Sequence, residues 1–235
     1  MTVQIAKNHL FGIVSRSYAE LDQATRQSFF QAISGQRWFD TVAGRIFETH
    51  ALLWFRNSPD QDTLPCIPAD SENNLPLRIP VCGNNLAFFS KAEGLKNVDE
   101  QHEGLKCLVP VSQDFPTVDA IFLTENFIIT VQMTVASTHD ANIIGFEKVY
   151  QHLPSKVKAT RQWGHVFLSN SEDKATVLRE QRLTGLPQKM EVGVYSAVID
   201  IEQSASILTL QRVEELNKYE VRRYRLHVID IDVYW

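Results

Sequence analysis

Asp119-Ala-Ile-Phe-Leu-Thr-Glu-Asn-Phe-Ile-Ile-Thr-Val-Gln-Met-Thr134 decides how this chain is read. Residues 119–124 and 127–136 are rich in Ile, Phe, Thr and Val, the composition of strands, and Glu125-Asn126 separates them. A two-residue hairpin loop there makes positions that sum to 251 face each other, so Thr124 meets Phe127 and Asp119 meets Gln132. Alternation puts Gln132 and Thr134 on the sheet face of Asp119. Directly opposed residues have Cβ atoms roughly 5 Å apart, so a carboxylate and an amide oxygen are expected to converge. Both faces of the two strands are mostly apolar, which predicts a covered, central hairpin. A carboxylate in such a place must be paired, protonated or bound to a cation.

Upstream, residues 17–34 carry helical periodicity through Leu21, Phe29, Phe30 and Ile33. A more apolar helix follows from Arg37 to Arg56, closed by Asn57-Ser-Pro59. The segment 57–76, with Pro59, Pro65, Pro68 and Pro76, reads as the largest loop. Strands are expected at 77–82 and 86–90 around the turn signal Gly83-Asn-Asn, a polar loop at 91–104, and a strand at Cys107–Ser112. Beyond the hairpin come a helix at 140–153, a strand at 163–169, a helix at 173–182 and a strand at 191–200. A helix at 205–217 and a strand at 219–231 complete the reading. This order predicts one domain over 1–235: an α/β sandwich whose mixed central sheet is flanked by helices, with 1–35 as a helical lead-in and 36–235 as the core. The helix at 140–153 crosses over to a strand that pairs in parallel, with the usual right hand.

Composition sets limits. At 235 residues, 44% hydrophobic and 22% charged, the chain is that of an ordinary globule. Three cysteines (Cys66, Cys82 and Cys107) without Cys-x-x-Cys spacing speak against a disulfide framework or a zinc site, and for a reducing compartment. No apolar stretch approaches a membrane span, and no signal peptide is expected from the start of the chain. A formal charge of −5 disfavours general affinity for nucleic acid, leaving local basic surfaces. Lys156, Lys158 and Arg161 form one such cluster after Pro154, and Arg222, Arg223 and Arg225 form another. Each reads either as a solvated face or as a nucleic-acid contact.

Glu48 lies in Gly44-Arg-Ile-Phe-Glu48-Thr-His50, and its helical neighbours Gly44, Ala51, Leu52 and Phe55 are small or apolar. It either snorkels or pairs with Arg45, or it approaches the hairpin as a third acidic ligand. A helical Glu, an Asp opening a strand and an acceptor-x-residue on the paired strand form the layout of the PD-(D/E)XK nucleases, whose fold is restriction-endonuclease-like. Pro116-Thr-Val-Asp119 resembles the "PD" element with two residues inserted, and Gln132-Met-Thr134 stands where the family has (D/E)-x-K. More specifically, Ala43-Gly-Arg-Ile-Phe-Glu48-Thr-His50, Phe115-Pro-Thr-Val-Asp119-Ala-Ile and Gln132-Met-Thr-Val-Ala-Ser-Thr-His139 resemble the C-terminal domain of Crinkler-type effectors of oomycetes and fungi. His9-Leu-Phe-Gly-Ile-Val resembles the segment leading into that domain after an upstream NTPase region of the parent protein.

The resemblance implies a Mg²⁺- or Mn²⁺-dependent nuclease, with DNA favoured over RNA, acting inside a cell in nucleus or cytoplasm (a host cell, for an effector). Glu48, Asp119 and Gln132 would then hold the metal, which positions and activates water and stabilises charge on the phosphate. Thr134 and His139 would orient water or phosphate. Thr134 departs from the family's lysine and cannot replace its charge. Lys148, on the following helix, would supply that charge, or is simply solvated. His139 is either that phosphate contact or a capping and packing residue, and His50 reads as core. The alternative is a catalytically inactive domain that keeps the fold and binds nucleic acid or a host protein. Gly-rich phosphate loops, Gly-x-Ser-x-Gly elbows and His-Glu-x-x-His pairs are all missing from the sequence, and Cys82 or Cys107 lacks local support for a Cys/His hydrolase.

Overall fold

The computed structural model describes residues 25, 28–30, 32, 40–57, 63–70, 74–83, 85–98, 106–110, 115–137, 144–181, 183, 186 and 190–199. Helix α1 spans Asp40–Asn57 and precedes strands β1 (Thr63–Pro68), β2 (Leu77–Pro80), β3 (Leu86–Phe89), β4 (Lys106–Pro110), β5 (Ala120–Leu123) and β6 (Phe127–Thr134). Then come α2 (Ile144–His152), α3 (Ser155–Ala159), β7 (Gln162–Ser169), α4 (Glu172–Arg179) and β8 (Val192–Val198). The 17–34 helix, the elements at 205–231 and the cluster Arg222, Arg223 and Arg225 lie wholly or mostly outside the described residues.

The strands form one mixed sheet of eight in the order β2-β1-β8-β7-β6-β5-β4-β3. From β4 to β8 they lie side by side in chain order. Only β5 runs against its neighbours, and β6, β7 and β8 are parallel. The α/β sandwich with a mixed central sheet is therefore present. β2 and β3, neighbours in sequence, occupy opposite edges. Eight strands spaced roughly 4.8 Å would hold the edges of a flat sheet roughly 34 Å apart. The chain from Pro80 to Leu86 reaches at most roughly 21 Å. The sheet must curl.

Helix α1 fills the concave side of that curl. Its residues Ala43, Phe47, Ala51 and Phe55 recur at helical spacing and are fully buried against Phe122, Ile129, Val131, Val166, Tyr195 and Ala197. Phe55 meets Phe122 edge-on with ring centroids 4.8 Å apart. The Phe55 carbonyl, left without a helical donor near the C-terminus, accepts the Cys82 N–H at 2.8 Å, so the connection between the two edges is pinned to the helix it wraps. On the convex side Phe146 and Val149 of α2, with Leu153 just after it, cover Ile121, Leu123 and Ile128, together with Trp163 at the start of β7.

Two sequence expectations are corrected. The Pro-rich segment 57–76 contains β1, where Leu64 and Cys66 point inward while Pro65 and Ile67 are exposed. β8 pairs only with Ile67 and Pro68, so Pro65 has a partner strand on one flank alone, and proline is tolerated at such an edge. The polar stretch 91–104 contains a 3-10 helix, Ala92–Asn97, which tucks fully buried Leu95 beneath Phe89 and Phe115. The helix expected at 140–153 is described from Ile144 onward, and the short α3, which the sequence did not announce, carries Lys156 and Lys158.

Candidate functional site

The sheet segregates its buried polar residues by face. Thr130, Gln132, Thr134, His165, Ser169 and Ser196 are the buried polar side chains of the described strands. Residues at the alternate positions of these strands (Ile129, Val131, Met133, Val166, Leu168, Tyr195 and Ala197) belong to the concave core. Period-2 alternation therefore directs all six polar residues to the convex face, beneath α2 and α4. The pairing Thr130↔His165, Gln132↔Phe167 and Thr134↔Ser169 sets them in a strip along β6 and β7. Ser196 extends the strip through its pairing with Phe167.

At the C-terminal end of the strip, Gln132 is 2% exposed and Ser169 is fully buried. Neither Gln132 Oε1 nor Ser169 Oγ has a hydrogen-bond partner among the described residues. A buried acceptor without a donor costs free energy, so two within one strip mark a place suited to a water, ion or substrate group. Open α/β sheets favour ligands at the carboxyl ends of parallel strands, which is where these atoms lie. Thr134 is already engaged: its hydroxyl accepts the Ala136 N–H at 3.0 Å.

Midway along, His165 Nδ1 lies 2.8 Å from Thr130 Oγ1, and the same hydroxyl reaches the Gly164 carbonyl at 3.3 Å. The imidazole sits edge-on to Phe167, 4.7 Å between centroids, with Phe146 on another side. Loss of solvation pushes its pKa down to about 4, so His165 is neutral at neutral pH.

The hairpin register agrees with the sequence. Ala120↔Val131 through Leu123↔Ile128 all sum to 251. The paired register begins at Ala120, so Asp119 lies just before it rather than in a direct pair with Gln132, and its carboxylate is in the plane of the ladder. Its N–H donates to the Val131 carbonyl at 2.8 Å, and its Oδ2 accepts the Met133 N–H at 2.7 Å. The carboxylate thus supplies β6 with an acceptor just before the start of β5. The approach to it is strained: Thr117, a β-branched residue, has φ 69°. The N-terminal turn of α2 rests on this loop, and a Cβ on Gly145 would overlap the Pro116 carbonyl.

Glu48 departs from the predicted constellation. It is on α1, in the concave layer, and its Oε2 receives Arg45 Nη1 at 2.7 Å. Gln132 and Thr134 face the opposite layer. Strand alternation told which residues share a face, but nothing local told which face α1 would cover. Lys148 is in the correct layer, on α2, but its ammonium stands 5.8 Å from the centroid of Phe115. His139 lies outside the described residues. His50 is 3% exposed, in keeping with the core reading. The three cysteines are buried: burial pushes the Cys66 thiol up to about 12 and raises Cys107, whereas a hydrogen bond from Cys107 lowers Cys82.

The cluster Lys156, Lys158 and Arg161 sits at the other end of the strip. Lys158 Nζ donates to the Tyr150 carbonyl at 2.7 Å and lies 4.8 Å over its ring, while Arg161 Nε donates to the Thr124 carbonyl at 2.5 Å. Lys156 is exposed on α3. Sequence reasoning missed Thr130, His165, Ser169 and Ser196. The available signal was polar residues sharing one face of otherwise apolar strands, Thr130-x-Gln132-x-Thr134 at every second position and His165-x-x-x-Ser169 at the fourth.

Comparison with family models, curated proteins and solved structures gave no match. Among the described residues no helix is long and apolar enough to cross a membrane.

Proposed function

We propose that the chain is a restriction-endonuclease-like domain that binds nucleic acid, of the Crinkler-effector type, without the three-ligand metal centre of the catalytic members. The layout supports the architecture: α1, then β4–β6 with β5 reversed, then helical crossovers to β7 and β8. One observation carries the choice of binding over cleavage. Glu48 is ion-paired in the α1 layer, whereas Gln132 and Thr134 face the α2 layer.

Mg²⁺ or Mn²⁺ favours several oxygen ligands, carboxylates above all. The residues fit it poorly: Gln132 offers a neutral amide, and one Asp119 oxygen already serves the Met133 N–H. No group of three His, Cys, Asp or Glu suited to a metal occurs among the described residues. Any role inside a host nucleus or cytoplasm, or behind an NTPase region, follows from the family resemblance.

A second reading, metal-dependent cleavage, is favoured by the unpartnered Gln132 Oε1 and Ser169 Oγ at the carboxyl ends of β6 and β7. Labelled duplex DNA, single-stranded DNA and RNA, assayed for binding and for cleavage with Mg²⁺ or Mn²⁺, separate the two. Binding without cleavage, with a melting temperature indifferent to either metal, is expected. Cleavage that Asp119→Asn abolishes, or that Thr134→Lys increases, would establish the second reading instead.

A further inference from the structure

We infer that the cavity between α2, α3 and the start of β7 holds one nucleotide unit, its phosphate on Lys158 and Arg161 and its base against Trp163 and Met190. The inference rests on the nucleic-acid part of the proposed function and is independent of cleavage. The cavity has a volume of about 460 Å³, within the size range of small-molecule sites, and Tyr150 and Glu191 complete its principal lining.

Charge gives the first reason. Lys158 and Arg161 are anchored by neutral carbonyls: Tyr150 O for the lysine, Thr124 O and Val157 O for the arginine. Neither is paired with a carboxylate among the described residues. Two ordered cations on one cavity, outnumbering the single carboxylate of its lining (Glu191) and bonded to carbonyls, suit an anion with several oxygens. Arg161 retains its Nη2 donors, and Lys158 has N–H groups beyond the one spent on Tyr150 O. Because both side chains are already held, binding orders little that was free.

Shape gives the second reason. The wall beside the cations is aromatic and thioether, with Tyr150 and Trp163 rings 5.6 Å apart, which suits a flat ring attached to the anion. The site is separate from the orphaned acceptors. Trp163 and Ser169 are six positions apart on β7, roughly 20 Å at strand rise.

Titration of the full chain with a nucleoside monophosphate, the matching nucleoside, inorganic phosphate and a short single-stranded oligonucleotide tests this. Tryptophan emission serves as the signal, assigned with Trp163→Phe. The monophosphate should quench it and bind at least tenfold more tightly than nucleoside or phosphate alone. Lys158→Met should weaken binding roughly tenfold or more, while Lys156→Met, outside the lining, should change it less than twofold. Tighter binding of the oligonucleotide than of the monophosphate identifies a strand as the source, and equal binding identifies free nucleotide. Equal losses in the two lysine variants would mean a diffuse basic surface and overturn the proposal, as would no monophosphate binding at millimolar concentration. Circular dichroism of Lys158→Met must match the parent chain, and Glu191→Gln, which should tighten binding, tests the site without touching a structural contact. Persistence of binding in Asp119→Asn separates this site from the fate of the cleavage reading.

Discussion

The two faces of the curled sheet are built differently. On the concave side α1 meets the strands through Phe47, Phe55, Phe122, Ile129 and Val166, and every sheet position there is apolar or small. The convex side places Thr130, Gln132, Thr134, His165, Ser169 and Ser196 beneath its helices, at similar burial. Burial alone does not distinguish the faces, since both are covered. The difference lies in what the sheet itself buries: its concave positions are apolar, with polar burial there confined, among the described residues, to Glu48 and His50 of α1, while its convex positions must satisfy each polar atom or leave it orphaned. A face that tolerates orphaned acceptors has given up stability that packing alone would supply, the usual mark of a surface kept for a ligand.

That contrast can be broken by substitution. The largest effect should be on the concave side: Phe122→Ala removes a ring packed on Phe55 and should cost about 3–5 kcal/mol in denaturant unfolding. A much smaller loss would mean that α1 is not the core of the curl. On the convex side the greatest change should come from protonation of His165. Its folded pKa of about 4 lies below the unfolded value near 6.5, so the neutral form is favoured by folding. The unfolded chain takes up the proton first as pH falls. Stability is therefore complete above pH 6.5 and declines towards pH 4, by about 3 kcal/mol for this group. Unfolding measured across that range should show the decline, and His165→Phe should flatten it.

Next in size is Gly145→Val, which drives a side chain into the Pro116 carbonyl and should cost about 2 kcal/mol. If it does not, α2 is not seated on the loop before Asp119, and the polar strip is less covered than described. The smallest effect should have the opposite sign. Gln132→Leu replaces an unsatisfied acceptor by an apolar group of similar size and should raise stability by about 1 kcal/mol. A loss would show that Gln132 Oε1 has a partner in solution, and would sharpen the search for it at that end of the strip.

The hairpin, its register and its central burial were legible from residue order, because strand alternation and a two-residue turn are local rules. So were the helix before β7, β7 itself, the helix after it and β8, and with them a mixed sheet with parallel crossovers, though not the short α3. The position of Asp119 at the entry to the hairpin, against β6, was equally legible. The direction of its carboxylate was not, since that depends on β5 starting one residue after it and on the Met133 N–H needing an acceptor. The layer of each helix was settled only by folding. Glu48 and Gln132 obey the same local patterns whether α1 covers one face or the other. The choice came from the curl of the sheet, whose concave side accepts one long apolar helix and leaves the polar strip to α2 and α4. Folding also gathered Tyr150, Lys158, Arg161, Trp163 and Met190 around one cavity. Sequence proximity had grouped Lys158 with Arg161, but no spacing rule adds Tyr150 of α2, Trp163 of β7 and Met190 before β8, which only long-range packing brings to them.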